Sequence, residues 1–208
     1  MKKRSFMWSG SVPANAARSA SASQAPGPRG GYPGPVRVAL LSDTHGLSDP
    51  KLPGLFRGCA RVLHAGDLVT TLVLHALEGV AEVTAVRGNN DHTPELARLP
   101  EHVVVPVGAL RALMVHDLGS SERPHPPVRR LLSRERPELV IHGHSHRPTA
   151  AVHEGRLFVN PGSAGPRRFS LPRTAAILEV VERRARVVFY DLAGAEPAQY
   201  GEAVDVEL

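Results

Sequence analysis

Seven residues able to ligate a divalent cation stand just past short apolar runs of this chain. Asp43 and His45 follow the run in VRVALLSDTH, Asp67 closes RVLHAGD, and Asn89 follows EVTAVRG. His116 follows ALMV, and His144 and His146 close LVIHGHSH. The gaps Asp43–Asp67, Asp67–Asn89, Asn89–His116 and His116–His144 are 24, 22, 27 and 28 residues, each about the length of one strand with its crossover. Open α/β sheets bind their ligands beyond the carboxyl ends of the strands, so such segments could converge on one site. The donors are carboxylate, amide oxygen and imidazole, without thiolate. That set suits Mn, Fe, Co, Ni or Zn better than Ca or Mg, and it suits chemistry on phosphate esters. A carboxylate bridging two ions about 3.5–4 Å apart is a recurring phosphoesterase solution. Asp67, central on the second strand, is the natural bridge.

The elements that must position these residues follow from periodicity. APGPRGGYPGP cannot hold helix or sheet, so the folded domain begins at Val36. Val36–Leu41 reads as a central strand buried on both faces, followed by a short helix within Pro50–Gly58 and a strand at Arg61–His64. Thr70–Leu77 reads as a helix stopped by Gly79, and Glu82–Val86 as a third strand. Hairpins follow at Val103–Val107 with Leu110–Val115, at Thr149–Val152 with Arg156–Val159, and at Ala175–Val181 with Arg186–Tyr190. Val128–Arg136 is a basic amphipathic helix ahead of Pro137, and Leu139–Ile141 a buried strand. Alternating strand and helix in the first half and hairpins in the second predict an α/β fold, two mixed sheets face to face with helices outside. The expected organisation is a disordered basic leader over 1–35, a domain over 36–194 and a C-terminal tail over 195–208.

Charge narrows the function classes. The net charge is +5, from 25 basic and 20 acidic residues. Residues 1–35 hold five of the bases (Lys2, Lys3, Arg4, Arg18, Arg29) and no acid, leaving 25 − 5 = 20 bases against 20 acids from Val36 onward. The folded part therefore gives no indication of a nucleic-acid surface. Cys59, the single cysteine, excludes an intrachain disulfide and reads as a small apolar filler in an early helix. No run is long enough to span a bilayer, and MKKRSFMWSGSVPANAA breaks before a signal core forms. The expected compartment is the cytoplasm. A homo-oligomer is open, since the sequence does not specify oligomeric state.

The motifs DTH, GD, GNND, a lone His after a strand, and GHSH resemble, in order, the five motifs of the calcineurin-like metallophosphoesterases. The similarity covers roughly Val36 to Tyr190. SDTHG at 42–46, HAGD at 64–67, VRGNND at 86–91, HGHSH at 142–146 and NPGS at 160–163 resemble the small prokaryotic phosphodiesterase branch. The resemblance implies a four-layer α/β/β/α sandwich and two divalent ions, Mn foremost, with Fe, Ni, Co or Zn as alternatives. It implies that Asp43, His45 and His146 hold one ion, that Asn89, His116 and His144 hold the other, and that Asp67 bridges them. A hydroxide between the ions would attack phosphorus in a small phosphate-ester substrate. The retromer small subunit shares the fold and is the family's non-catalytic counter-example. A metal-binding interaction module is thus the rival reading, and a phosphomonoesterase or protein phosphatase a third.

One departure carries information. Many family members read GNH where this chain reads GNN, so Asn90 replaces a His thought to protonate the leaving group or position phosphate. Amide hydrogens can bond but cannot be delivered near neutrality, and general acid help contributes about 10²–10⁴ in rate. Diesters with good leaving groups are the expected substrates. Asn90 and Asp91 are the candidate catalytic residues, and Asn90 and Arg168 the candidate substrate contacts, with Arg167 beside it. Asp91 could instead support a ligand's geometry or cap a loop. His64 and His142 read as hydrogen-bonded structural residues, and His92 as a solvated loop residue. Asn160, Gly162 and Ser163 either meet substrate, support the metal loops or form a plain turn. His75, His102, His125 and His153 read as surface.

Overall fold

The computed structural model describes residues Gly34–Leu208; all but the end of the expected 1–35 leader lies outside the described residues. In chain order the first strands are β1 (Val36–Leu41), β2 (Arg61–His64), β3 (Glu82–Ala85), β4 (His102–Val107), β5 (Leu110–Val115) and β6 (Leu139–Ile141). The rest are β7 (Thr149–His153), β8 (Arg156–Asn160), β9 (Thr174–Val181), β10 (Arg184–Asp191), β11 (Ala198–Gln199) and β12 (Val204–Glu207). The α-helices are α1 (Leu52–Leu55), α2 (Thr71–Glu78) and α3 (Pro126–Glu135). One sheet runs β11-β10-β9-β1-β2-β3, with β12 also on β10, and the other β4-β5-β6-β8-β7. Both are mixed: β1, β2 and β3 are mutually parallel, as are β5, β6 and β8, while the hairpins add antiparallel neighbours.

Strand alternation sorts the apolar residues into separate cores. Val38 and Leu40 of β1 face the other sheet and pack with Leu63, Met114, Ile141 and Val159. Ala39 and Leu41 face outward, beneath Leu52 and Phe56 of the α1 region and Val73 and Leu77 of α2. On the far side Leu113, Val115 and Val140 meet Val128 and Leu132 of α3. Each fully buried Leu contributes about 2 kcal/mol relative to exposure. The layers are therefore α/β/β/α, as expected.

Local chemistry sets the ends of the helices. Thr70 caps α2 by accepting the Leu72 N–H, and Gly79 closes it. Pro126 and Pro127 start α3 two residues earlier than its periodicity suggests, because the first turn needs no amide donors. Arg136 ends α3 in the left-handed region ahead of Pro137. Cys59 is buried but lies in the turn after α1 rather than within a helix.

Residues 195–208, expected as a C-terminal tail, contain β11 and β12, both antiparallel to β10. Val204, Val206 and Leu208 pack against the inter-sheet core while Asp205 faces Arg186 at 3.0 Å. Two valines alternating with acids are a period-two edge strand too short to stand out from its polar surroundings.

Candidate metal centre

All seven candidate ligands lie past the carboxyl ends of parallel strands: β1, β2 and β3 in one sheet, β5 and β6 in the other. The loops of the two sheets are tied together. The Asp43 Oδ2 oxygen accepts the His144 N–H at 3.0 Å and His116 Nδ1 donates to Ala65 O at 2.7 Å, while within the second sheet the Gly143 N–H reaches His116 O at 3.0 Å.

Two donor sets result. In the first, Asp43 Oδ1 lies 3.2 Å from His146 Nε2 and 3.9 Å from His45 Nε2, and the two imidazole nitrogens are 3.3 Å apart. In the second, Asn89 Oδ1 is 3.0 Å from both His116 Nε2 and His144 Nδ1. Asp67 stands between them, with Oδ2 3.7 Å from His45 Nε2 and Oδ1 3.6 Å from His116 Nε2.

These donors fit a cation. Asp43 is fully buried, yet its Oδ1 makes no hydrogen bond even with His146 3.2 Å away. His116 Nδ1 donates to Ala65 O, which can only accept, and its Nε2 faces Asn89 Oδ1 and Asp67 Oδ1. Burial would raise the Asp43 pKa, but neighbouring His146, His116 and the Ser42 hydroxyl outweigh it and hold the carboxyl ionised below the usual range. Burial and then the charge of Arg168 depress His45, keeping its ring a neutral donor. Asp43 (φ 53), His45 (φ 44), Asp67 (φ 60), His144 (φ 67) and His146 (φ 58) all adopt left-handed backbone, a conformation that costs non-glycine residues.

A polar scaffold supports these loops. Asp91, read from sequence as a candidate catalytic residue, is 2% exposed and spends its carboxylate on the backbone. Its Oδ2 accepts from Asp67 N (3.0 Å) and Gly88 N (2.8 Å), its Oδ1 from Val69 N (2.8 Å). That geometry ties the Asp67–Val69 loop to Gly88. Asn90 Nδ2 donates to Asp67 Oδ2 at 2.6 Å and its backbone N–H to Asp67 Oδ1 at 2.8 Å. Buried Asn160 donates to Gly143 O and Ser145 Oγ, and Ser163 Oγ donates to Asp43 O, so the NPGS turn braces two ligand loops. Gly88 and Gly143 give the approach its closeness: a Cβ on either would overlap Asp67 or Ser42.

His64, fully buried, and His142, half-buried, are neutral rings, both pushed down to about 4 chiefly by desolvation. Gly66 N–H donates to His64 Nδ1, leaving Nε2 to donate to Thr44 Oγ1. Exposed Arg168 lies close enough to His45 to act on its charge, whereas Arg167 and His92 meet none of the donors in a hydrogen bond or ion pair. Asp117 has no counterpart in the sequence reading. Its Oδ2 faces His144 Nε2 at 3.8 Å and its Oδ1 faces His125 at 3.3 Å. The only signal for it was its place directly after His116.

A family model, the calcineurin-like phosphoesterase superfamily domain, matches residues 36–183, and this chain belongs to that superfamily. The probable metallophosphoesterase YsnB of Bacillus subtilis is 29% identical over 165 residues, 77% of this chain and 94% of YsnB. Vps29 of Entamoeba histolytica complexed with Zn²⁺ superposes at a TM-score of 0.66 and 22% identity, covering 82% of this chain and 99% of Vps29. An archaeal phosphodiesterase superposes at 0.57 and 21% identity, covering 74% and 99%. These two likenesses establish the fold. Among the described residues no helix is long and apolar enough to cross a membrane.

Proposed function

We propose that this chain is a binuclear metal-dependent phosphodiesterase acting on small phosphate esters. The observation that carries the reading is the pair of donor sets sharing Asp67, one carboxylate oxygen toward each. Asp43, His45, His146 and Asp67 would hold one ion; Asn89, His116, His144 and Asp67 the other. Two divalent ions held there, Mn²⁺ foremost, would neutralise phosphoryl oxygens and bring the pKa of a water toward neutrality.

The chain's own groups do the rest. Ala65 O fixes the His116 tautomer and Asp117 steadies His144 from outside, the support such imidazoles need. Arg168, whose charge is felt at His45, would offer a planar fork to a phosphoryl oxygen. Asn90 sits against Asp67 and can donate hydrogen bonds without releasing a proton. A leaving group must then depart without general acid help, which favours diesters of acidic alcohols such as phenols.

The test compares bis(p-nitrophenyl) phosphate with p-nitrophenyl phosphate in Mn²⁺. The diester should react faster, Asp67→Asn should abolish turnover, and Asn90→His should raise monoester hydrolysis at least tenfold. A protein that binds Mn²⁺ and leaves a broad ester panel intact is instead a non-catalytic interaction module.

A further inference from the structure

A cavity of about 980 Å³ opens from the second donor set, with Asn89, His116 and Asp117 in its wall. It runs between the β3–β4 connection and the start of α3. Val115, Val128, Leu131 and Pro127 give it an apolar side, while Arg87, Arg130 and Arg134 stand along it. The volume suits a nucleoside-sized group, larger than the reacting phosphate needs.

Its charges are unevenly compensated. Asp91 is spent on backbone amides, Glu101 pairs with Arg87 at 2.5 Å, and Asp117 faces His125 and His144. Arg134 is held by Glu135 at 2.7 Å, and Glu135 also pairs with Arg111. Arg130 has no acidic partner among the described residues, and neither does its neighbour Arg129. Beyond the cavity, Arg129, Arg130 and Arg134 also line an adjoining hollow with Ser133. The folded domain is neutral overall, yet this end of the groove is locally cationic.

Resting on the phosphodiesterase reading, we propose that the groove binds one esterifying group of the substrate and that this group carries a second phosphate. An apolar body would lie against Leu131 and Pro127, with the distal phosphate on Arg130 and its α3 neighbours. The substrate class is then a small phosphodiester of a phosphorylated nucleoside-like alcohol.

Calorimetry on the Mn²⁺-loaded protein tests this with thymidine 3′,5′-bisphosphate against thymidine 5′-monophosphate, nucleotide integrity being checked afterwards by chromatography. The bisphosphate should bind roughly tenfold tighter at low salt, the advantage shrinking as salt screens the exposed arginines. Arg130→Gln should reduce that ratio to near one, and Arg130→Lys should retain part of it. Equal binding of the two nucleotides by the parent, or a ratio unmoved by Arg130→Gln, overturns the proposal. Bis(p-nitrophenyl) phosphate, which has no second phosphate, separates the two readings. A parent inert toward that diester that still discriminates the nucleotides through Arg130 loses the hydrolase reading and keeps the groove. An active parent without discrimination keeps the hydrolase reading and loses the groove.

Discussion

Replacing Asp91 by Asn tests whether this carboxylate holds the loops or takes part in chemistry. It accepts three backbone N–H groups at 2.8–3.0 Å, on the chain carrying Asp67 and Val69 and on Gly88. Asn retains one acceptor oxygen and presents an NH₂ where the other stood. The cheaper orientation keeps the Asp67 and Gly88 bonds and turns the NH₂ toward the Val69 amide. Hydrogen bonds to a charged acceptor contribute about 1.5–3 kcal/mol, against about 0.5–1.5 for neutral ones. Losing one and weakening two gives a destabilisation of about 3–5 kcal/mol. With a urea m-value of about 2 kcal/mol/M, the midpoint should fall by roughly 1.5–2.5 M. The unfolding is followed by circular dichroism in chelator, so that bound metal does not contribute. Mn²⁺ affinity should fall as well, by about 10–100-fold, as for other residues that orient ligands from behind. An Asp91→Asn protein that unfolds with the parent's midpoint and binds Mn²⁺ normally, yet has lost turnover, would refute this reasoning and return Asp91 to the chemistry.

Gly88→Ala puts a methyl into the Asp67 backbone and carboxylate; we expect about 1–3 kcal/mol of overpacking cost and at least tenfold weaker Mn²⁺ binding by calorimetry. His64 supplies a pH dependence. Its folded pKa is about 4 against 6.5 unfolded, so the unfolded chain takes up the proton first and stability falls as pH drops from 6.5 toward 4. At pH 4.5 that amounts to about 2–3 kcal/mol relative to pH 7, and bound cations nearby would push the ring the same way. Urea midpoints at the two pH values should differ less in His64→Gln by that amount; an unchanged difference would mean that the ring is not buried neutral.

The sequence made the fold legible where a single periodicity ran undisturbed. VRVALL and LVI are apolar on both faces, and the hairpin turns at Gly108 and Gly155 sit between alternating runs, so β1, β6 and the hairpins stand where they were expected. VDVE was missed because an edge strand needs only one apolar face, and two valines among acids give too short a pattern. At the site, residue type and strand-end position were enough to bring all seven candidate ligands into one cluster. What the side chains do to one another was not legible. Asp91 and Asp117 are both carboxylates beside a candidate ligand, yet one is consumed by amides and the other faces two imidazoles. Such roles depend on rotamers and on loops from the other sheet, and neither leaves a trace in local spacing.

The energetics of the cluster argue for cations beyond the donor types themselves. Five of the seven candidate ligands hold left-handed backbone, at a cost of about 1–2 kcal/mol each for residues bearing a Cβ. Their donors face one another: a buried carboxylate oxygen with no partner, two ring nitrogens 3.3 Å apart, and an amide oxygen 3.0 Å from two more. Hydrogen bonds from Ser42, Asn160 and Ser163, and those Asp91 accepts from backbone amides, fix the loops in this arrangement, but none of them reaches Asp43 Oδ1. Protonation would relieve part of the repulsion, yet Asp43 and His45 are both shifted toward their unprotonated forms. Divalent ions held by these donors would offset the strain and the repulsion together, and they would do so in the folded state alone. The stabilisation should therefore grow with metal concentration as RT ln(1 + [L]/Kd), about 2.7 kcal/mol at a hundredfold excess over Kd. A thermal midpoint indifferent to Mn²⁺ and to every other divalent ion would leave that strain without any offset.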